Sequence, residues 1–215
     1  ELFLRHLAAD IVDGDKFLDL ESLLDTIVRG LYDGVSTDEL DVLAAESAAS
    51  LGTQHPAYAQ LAARILLTRN RKTTPATFSE AVEILACEQG SFLHPDLVDL
   101  VRRRGPEIDA QIHSMEMTYF GFKTLERAYL LRASSQQNAT STAPYGPIVE
   151  RPEYLMMRVA LGIHCCNGEN GVVLPTECTE DERLQAAFET YRYLSRGYFT
   201  HASPTLFHAG PTHPQ

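Results

Sequence analysis

The residues best suited to chemistry in this chain lie near its C-terminal end, in Thr200-His-Ala-Ser-Pro-Thr-Leu-Phe-His-Ala-Gly210. Hydroxyls at Thr200, Ser203 and Thr205 surround the helix-breaking Pro204, and side-chain and backbone donors at such a break can serve an anionic group. An ordinary Ser/Pro turn explains the same residues equally well. His164-Cys165-Cys166 with Cys178 concentrates imidazole and thiol, the usual zinc ligands. Adjacent cysteines do not easily take two corners of one tetrahedron, no C-x-x-C pair accompanies them, and the segment reads as a loop, so no metal site is expected. Arg102-Arg103-Arg104 could hold an anion, yet three arginines closing a helix read as a solvated, dipole-matched terminus. Asn138-Ala139-Thr140 fits the glycosylation pattern, which is common by chance and empty without secretion. There is no Gly-rich phosphate loop and no nucleophile elbow.

Short helices must position these groups. Leu23, Leu24, Ile27, Val28 and Leu31 recur at helical spacing, and Gly34 follows where a left-handed cap is needed. Ser36 stands three residues before Glu39, a capping-box spacing, and Leu40, Leu43, Ala44 and Ala48 continue a buried stripe. Pro56 suits the first turn of a third helix. The pattern predicts helices near 20–33, 37–51, 56–70, 122–132, 152–163 and 180–196, with Leu184, Ala187, Phe188, Tyr191 and Leu194 the cleanest stripe. Two more begin at Thr77 and at His94, the latter closing at Gly105. Ala133 to Ile148 and Cys165 to Glu180 are polar or Gly-rich and read as surface insertions. With no repeat and no alternating strand pattern, the class is mainly α.

Composition narrows the setting. The 215 residues are 44% hydrophobic, enough for a core, and the net charge of −11 with scattered Lys and Arg argues against a nucleic-acid groove. No apolar run reaches the roughly 18 to 20 residues that span a bilayer. The first residues lack a signal-peptide pattern, and four irregular cysteines do not make a disulfide scaffold, so a reducing cytoplasm is expected. The chain starts without Met inside a helical pattern and stops at Gly210-Pro-Thr-His-Pro-Gln215, so both ends read as cuts.

Tyr119-Phe-Gly-Phe-Lys-Thr-Leu-Glu-Arg-Ala-Tyr-Leu-Leu131 and Glu150-Arg-Pro-Glu-Tyr-Leu-Met-Met-Arg-Val-Ala-Leu-Gly-Ile-His164 are followed by Ala187-Phe-Glu-Thr-Tyr-Arg-Tyr-Leu-Ser and Phe199-Thr-His-Ala-Ser-Pro-Thr-Leu-Phe207. In this order they resemble the N-terminal part of the large subunit of class I ribonucleotide reductases. The first 72 residues resemble the ATP-cone of the same family, through Arg29-Gly-Leu-Tyr-Asp-Gly-Val-Ser-Thr-Asp-Glu-Leu-Asp-Val-Leu-Ala-Ala-Glu46, His55-Pro-Ala-Tyr and Leu61-Ala-Ala-Arg-Ile65.

The resemblance implies a partial ATP-cone over 1–72, lacking its opening β-hairpin, and the all-helical N-terminal domain of the large subunit over 73–215, leading into an α/β barrel that the chain does not contain. It implies a parent enzyme that reduces ribonucleoside diphosphates by thiyl-radical chemistry, activated by ATP and inhibited by dATP. Its partners would be a metal-containing small subunit that supplies the radical, further copies of the large subunit, and thioredoxin or glutaredoxin as reductant. By motif match, Thr37, Asp41 and Lys72 are expected at the cone nucleotide, with Lys72 on its phosphates, and Ser203 and Thr205 at the substrate diphosphate. A carboxylate at Asp41 suits ribose hydroxyls or a base amino group better than phosphate. His208 stands where many members have Asn. None of Cys87, Cys165, Cys166 and Cys178 matches a redox cysteine of the family, so the chain holds no catalytic residue and is expected to be inactive alone. The alternative is a regulatory or adaptor protein that keeps the helical scaffold without catalysis. Continuation of the reading frame into a Ser-Ser-Cys segment separates the two.

Overall fold

A computed structural model describes residues 2–9, 11, 18–87, 93–133, 147–166 and 178–211. Among these residues the chain forms ten α-helices and no strand: α1 Leu2–Ala8, α2 Leu20–Arg29, α3 Thr37–Ser50, α4 Pro56–Thr73, α5 Phe78–Ala86, α6 Pro95–Gln111, α7 Tyr119–Ala128, α8 Pro152–Cys165, α9 Glu180–Ser195 and α10 Ser203–His208. The mainly α expectation therefore holds, and all six predicted helices are present. The two insertion-like stretches lie largely outside the described residues, as does Asn138-Ala139-Thr140.

The chain divides into two compact units, one of residues 1–72 with 116–125 and one of residues 73–115 with 126–215. In the first unit the apolar stripe of α2 is Leu23 and Ile27, both buried, while Val28 and Leu31 stay exposed. They pack with Ala44, Ala45 and Ala48 of α3, Leu61, Ile65 and Leu66 of α4, and Phe122 of α7. Alanines on α3 let the helix backbones approach closely, and each large apolar side chain removed from water contributes about 1.5 to 3 kcal/mol. The capping box read from Ser36 and Glu39 is formed: the Glu39 amide donates to Ser36 Oγ at 3.2 Å and the Ser36 amide donates to Glu39 Oε2 at 2.9 Å.

In the second unit α8 packs along α9, and α5 along α6. The α9 stripe behaves as predicted, with Leu184, Ala187, Phe188, Tyr191 and Leu194 all at most 3% exposed. A capping box of Thr179 with Glu182 starts that helix.

Several local expectations are corrected. Helix α2 ends at Arg29 with Gly30 as its right-handed cap, and Gly34, with φ of 89°, sits in the turn beyond it. Helix α6 does not close at Gly105 but continues through Pro106 to Gln111. Gly105 is there for space: a Cβ would lie 2.6 Å from Ser79 Oγ on α5. The three arginines are consequently mid-helix and paired, Arg102 with Glu83 at 2.8 Å, Arg103 with Glu180 at 2.8 Å and Arg104 with Asp181 at 2.7 Å. Helix α7 starts at Tyr119 and releases the chain after Ala128, earlier than Arg132. Pro204 does not break a helix; it occupies the first turn of α10, where the missing amide hydrogen costs nothing.

Candidate functional site

Two groups of expected site residues fall in different units, and each has its own geometry. In the first unit Asp41 lies one turn after Thr37 on α3, so the two share a face of that helix. Asp41 is buried and Thr37 exposed. Lys72, in the last turn of α4, donates from Nζ to Asp41 Oδ2 at 2.7 Å. Residues 31 positions apart are thus joined by a charge-assisted bond whose carboxylate end is 12% exposed and whose ammonium end is 52% exposed.

A second pair runs beside the first. Arg69 Nε donates to Asp38 Oδ1 at 2.6 Å and its NH2 group to Oδ2 at 2.8 Å, a two-pronged contact. The hydrogen bond from Arg69 holds the Asp38 carboxyl below its ordinary range. Phe3 of α1 places its ring 5.0 Å from the Lys72 ammonium, a cation–π distance. Asp38, Arg69 and Phe3 escaped the sequence reading, although an acid pair at i, i+3 on one helix facing a basic pair at i, i+3 on another was a usable signal. Chemically this is a charge-balanced patch, in which the Lys72 ammonium reaches solvent while held by a buried acid.

In the second unit Ser203 opens α10 and is exposed, and Thr205 is half-buried. The Tyr129 hydroxyl lies 2.8 Å from Ser203 Oγ. Helix α10 is held from beneath by Arg158 of α8, 1% exposed, which donates from NH1 to the Ala209 carbonyl at 2.9 Å. The same guanidinium donates from Nε to Glu150 Oε1 at 2.6 Å, and Glu150 is itself 2% exposed. Past α10 the chain crosses α8 at Gly162, where a Cβ would clash with the Gly210 backbone nitrogen. Gly210 has φ of 92°, a left-handed conformation that favours glycine, and its carbonyl accepts from the His94 amide at 2.6 Å. The turn carrying Ser203 and Thr205 is therefore rigidly seated. Glu150 and Arg158 were missed because each alone reads as an ordinary solvated charge.

The Cys/His cluster is not a loop feature at its start: His164 and Cys165 complete the last turn of α8, and Cys166 is buried. Burial pushes the Cys165 thiol up to about 11 and the Cys166 thiol up to about 12, which removes thiolate character. His164 Nε2 is 2.8 Å from Thr190 Oγ1, and burial, with His201 nearby, lowers its pKa. Among the described residues no three His, Cys, Asp or Glu side chains gather as a metal set, and no helix is long and apolar enough to cross a membrane.

Residues 115–214 match the family described as ribonucleotide reductase, all-alpha domain, a helical class consistent with the fold just described. Over 95% of its length the chain is 40% identical to the ribonucleoside-diphosphate reductase large chain of Schizosaccharomyces pombe, of which it covers 23%. It is 38% identical to the large subunit of Danio rerio over 93% of its length, covering 23% of that protein. It is 39% identical to the large subunit of Monkeypox virus over 88%, covering 22%. The chain is thus similar to ribonucleotide reductase large subunits along most of its length, and it spans less than a quarter of the length of these relatives.

Proposed function

We propose that this chain is the N-terminal part of a cytoplasmic ribonucleoside-diphosphate reductase large subunit, contributing an effector-sensing cone over 1–72 and a helical substrate-side domain over 73–215. The observation that carries this reading is the similarity to reductase large subunits along 95% of the chain, so that both units belong to one alignment. The complete subunit would reduce ribonucleoside diphosphates by thiyl-radical chemistry, with a metal-containing small subunit as radical source, thioredoxin or glutaredoxin as reductant and other large subunits as assembly partners.

Within that reading Thr37, Asp41 and Lys72 form the ATP and dATP site. Lys72 is held by Asp41 at 2.7 Å, with its ammonium end open to solvent. A phosphate takes over the exposed ammonium, and the released carboxylate is then free to accept from a ribose hydroxyl, a contact able to sense the sugar. Ser203 and Thr205 hold the substrate diphosphate from the seated turn at α10.

The test is CDP reduction by the complete large subunit carrying this segment, with small subunit and a dithiol reductant. Deoxycytidine diphosphate is expected from the complete subunit and none from the 215-residue chain alone. Product from the chain alone, or none from the complete subunit, overturns the reading.

A further inference from the structure

Tyr129 grips α10 at two points. Its hydroxyl meets Ser203 Oγ at 2.8 Å, and its ring stacks on Phe207 with centroids 4.6 Å apart and planes inclined by 17°. Ser203 and Phe207 lie one helical turn apart on the same face, so one side chain spans that face. Tyr129 is itself fixed in place. Leu130 and Leu131 after it are both 3% exposed, and the Leu131 amide donates to Glu150 Oε2 at 3.0 Å. Through Glu150 and Arg158 the same network reaches the Ala209 carbonyl beyond the other end of α10.

This arrangement bears on the polarity at Ser203. An exposed serine hydroxyl can rotate between donating and accepting. Either hydroxyl can donate across this contact, and the phenol, as the more acidic of the two, is the favoured donor to Ser203 Oγ. A hydroxyl that accepts in this way is polarised to give its own proton onward. The outward Ser203 proton then suits a ligand that can only accept, such as the oxygens of a diphosphate.

We infer that Tyr129 is a positioning residue for the substrate diphosphate, fixing the Ser203 hydroxyl as a donor toward it. The inference rests on the substrate role proposed above for Ser203, and the experiment separates the two. In the complete large subunit with its small subunit, Tyr129→Phe keeps the stacked ring and removes only the donor. Its KM for CDP rises by about fivefold or more while kcat stays within about twofold. Ser203→Ala raises KM comparably, and the double variant is no worse than Ser203→Ala alone, because both act through one hydroxyl. Hydrogen exchange at the Leu206 amide stays at the wild-type rate in Tyr129→Phe. An unchanged KM in Tyr129→Phe beside a raised one in Ser203→Ala overturns the inference and leaves the substrate reading standing. An unchanged KM in Ser203→Ala overturns both. Additive losses in the double variant, or accelerated exchange at Leu206 in Tyr129→Phe, show a general structural role and overturn the inference alone.

Discussion

Replacing Arg158 by Met should open the second unit more than any surface change, because the guanidinium is 1% exposed and answers a carboxylate that is 2% exposed. The variant leaves Glu150 charged and buried, with the Leu131 amide as a remaining donor, and takes the guanidinium from the Ala209 carbonyl. Removing one partner of a buried pair costs about 3 to 5 kcal/mol. At about 1.4 kcal/mol per decade, that accelerates native-state hydrogen exchange at the buried α8 amides of Met156 and Met157 by roughly two to four decades. Two comparisons isolate the cause. Arg103→Met breaks a pair whose side chains are 58% and 42% exposed, and it should change exchange by less than about one decade. Arg158→Met combined with Glu150→Met removes the buried carboxylate as well and should recover much of the loss, since apolar replacement of a whole buried pair is often neutral. Acceleration below about tenfold in Arg158→Met, or a double variant worse than the single one, refutes the reasoning.

Other outcomes follow from single contacts. Gly162→Ala forces a Cβ against the Gly210 backbone and should destabilise the second unit by about 1 to 3 kcal/mol, read as faster exchange at the His94 amide that bonds to Gly210. Ser36→Ala removes the α3 cap and should cost the first unit about 0.5 to 2 kcal/mol in urea unfolding, with Ser36→Asp close to wild type. The Asp38 carboxyl is held low by Arg69, so its contribution is present above the ordinary carboxylate range and is lost as pH falls through the lowered value. Circular dichroism below about pH 4 should therefore show a shallower acid loss in Asp38→Asn than in the wild type.

What the sequence revealed depended on how local the signal was. The α9 stripe and the Ser36–Glu39 box need only neighbouring residues, and both were legible. Gly105 reads as a helix stop because glycine usually ends helices, whereas here it makes room for Ser79, 26 positions earlier in the chain. Pro204 reads as a break because proline in mid-helix is one, yet at the first turn it is harmless. The Glu150–Arg158 pair was invisible because nothing in charge patterning separates a solvated ion from one sealed beneath α10. Thr37, Asp41 and Lys72 emerged from family resemblance and not from chemistry, since periodicity cannot bring residue 41 to residue 72. The structure adds the contact that gives two of them a physical relation, the 2.7 Å bond between Asp41 and Lys72.

That bond also frames the most direct test of the proposed role, the response of CDP reduction to dATP in the complete large subunit. Wild-type turnover should be inhibited by dATP, whereas Asp41→Asn and Lys72→Ala should both keep turnover without dATP and lose most of the inhibition. Undiminished inhibition by dATP in both variants would contradict the assignment of this patch as the effector site.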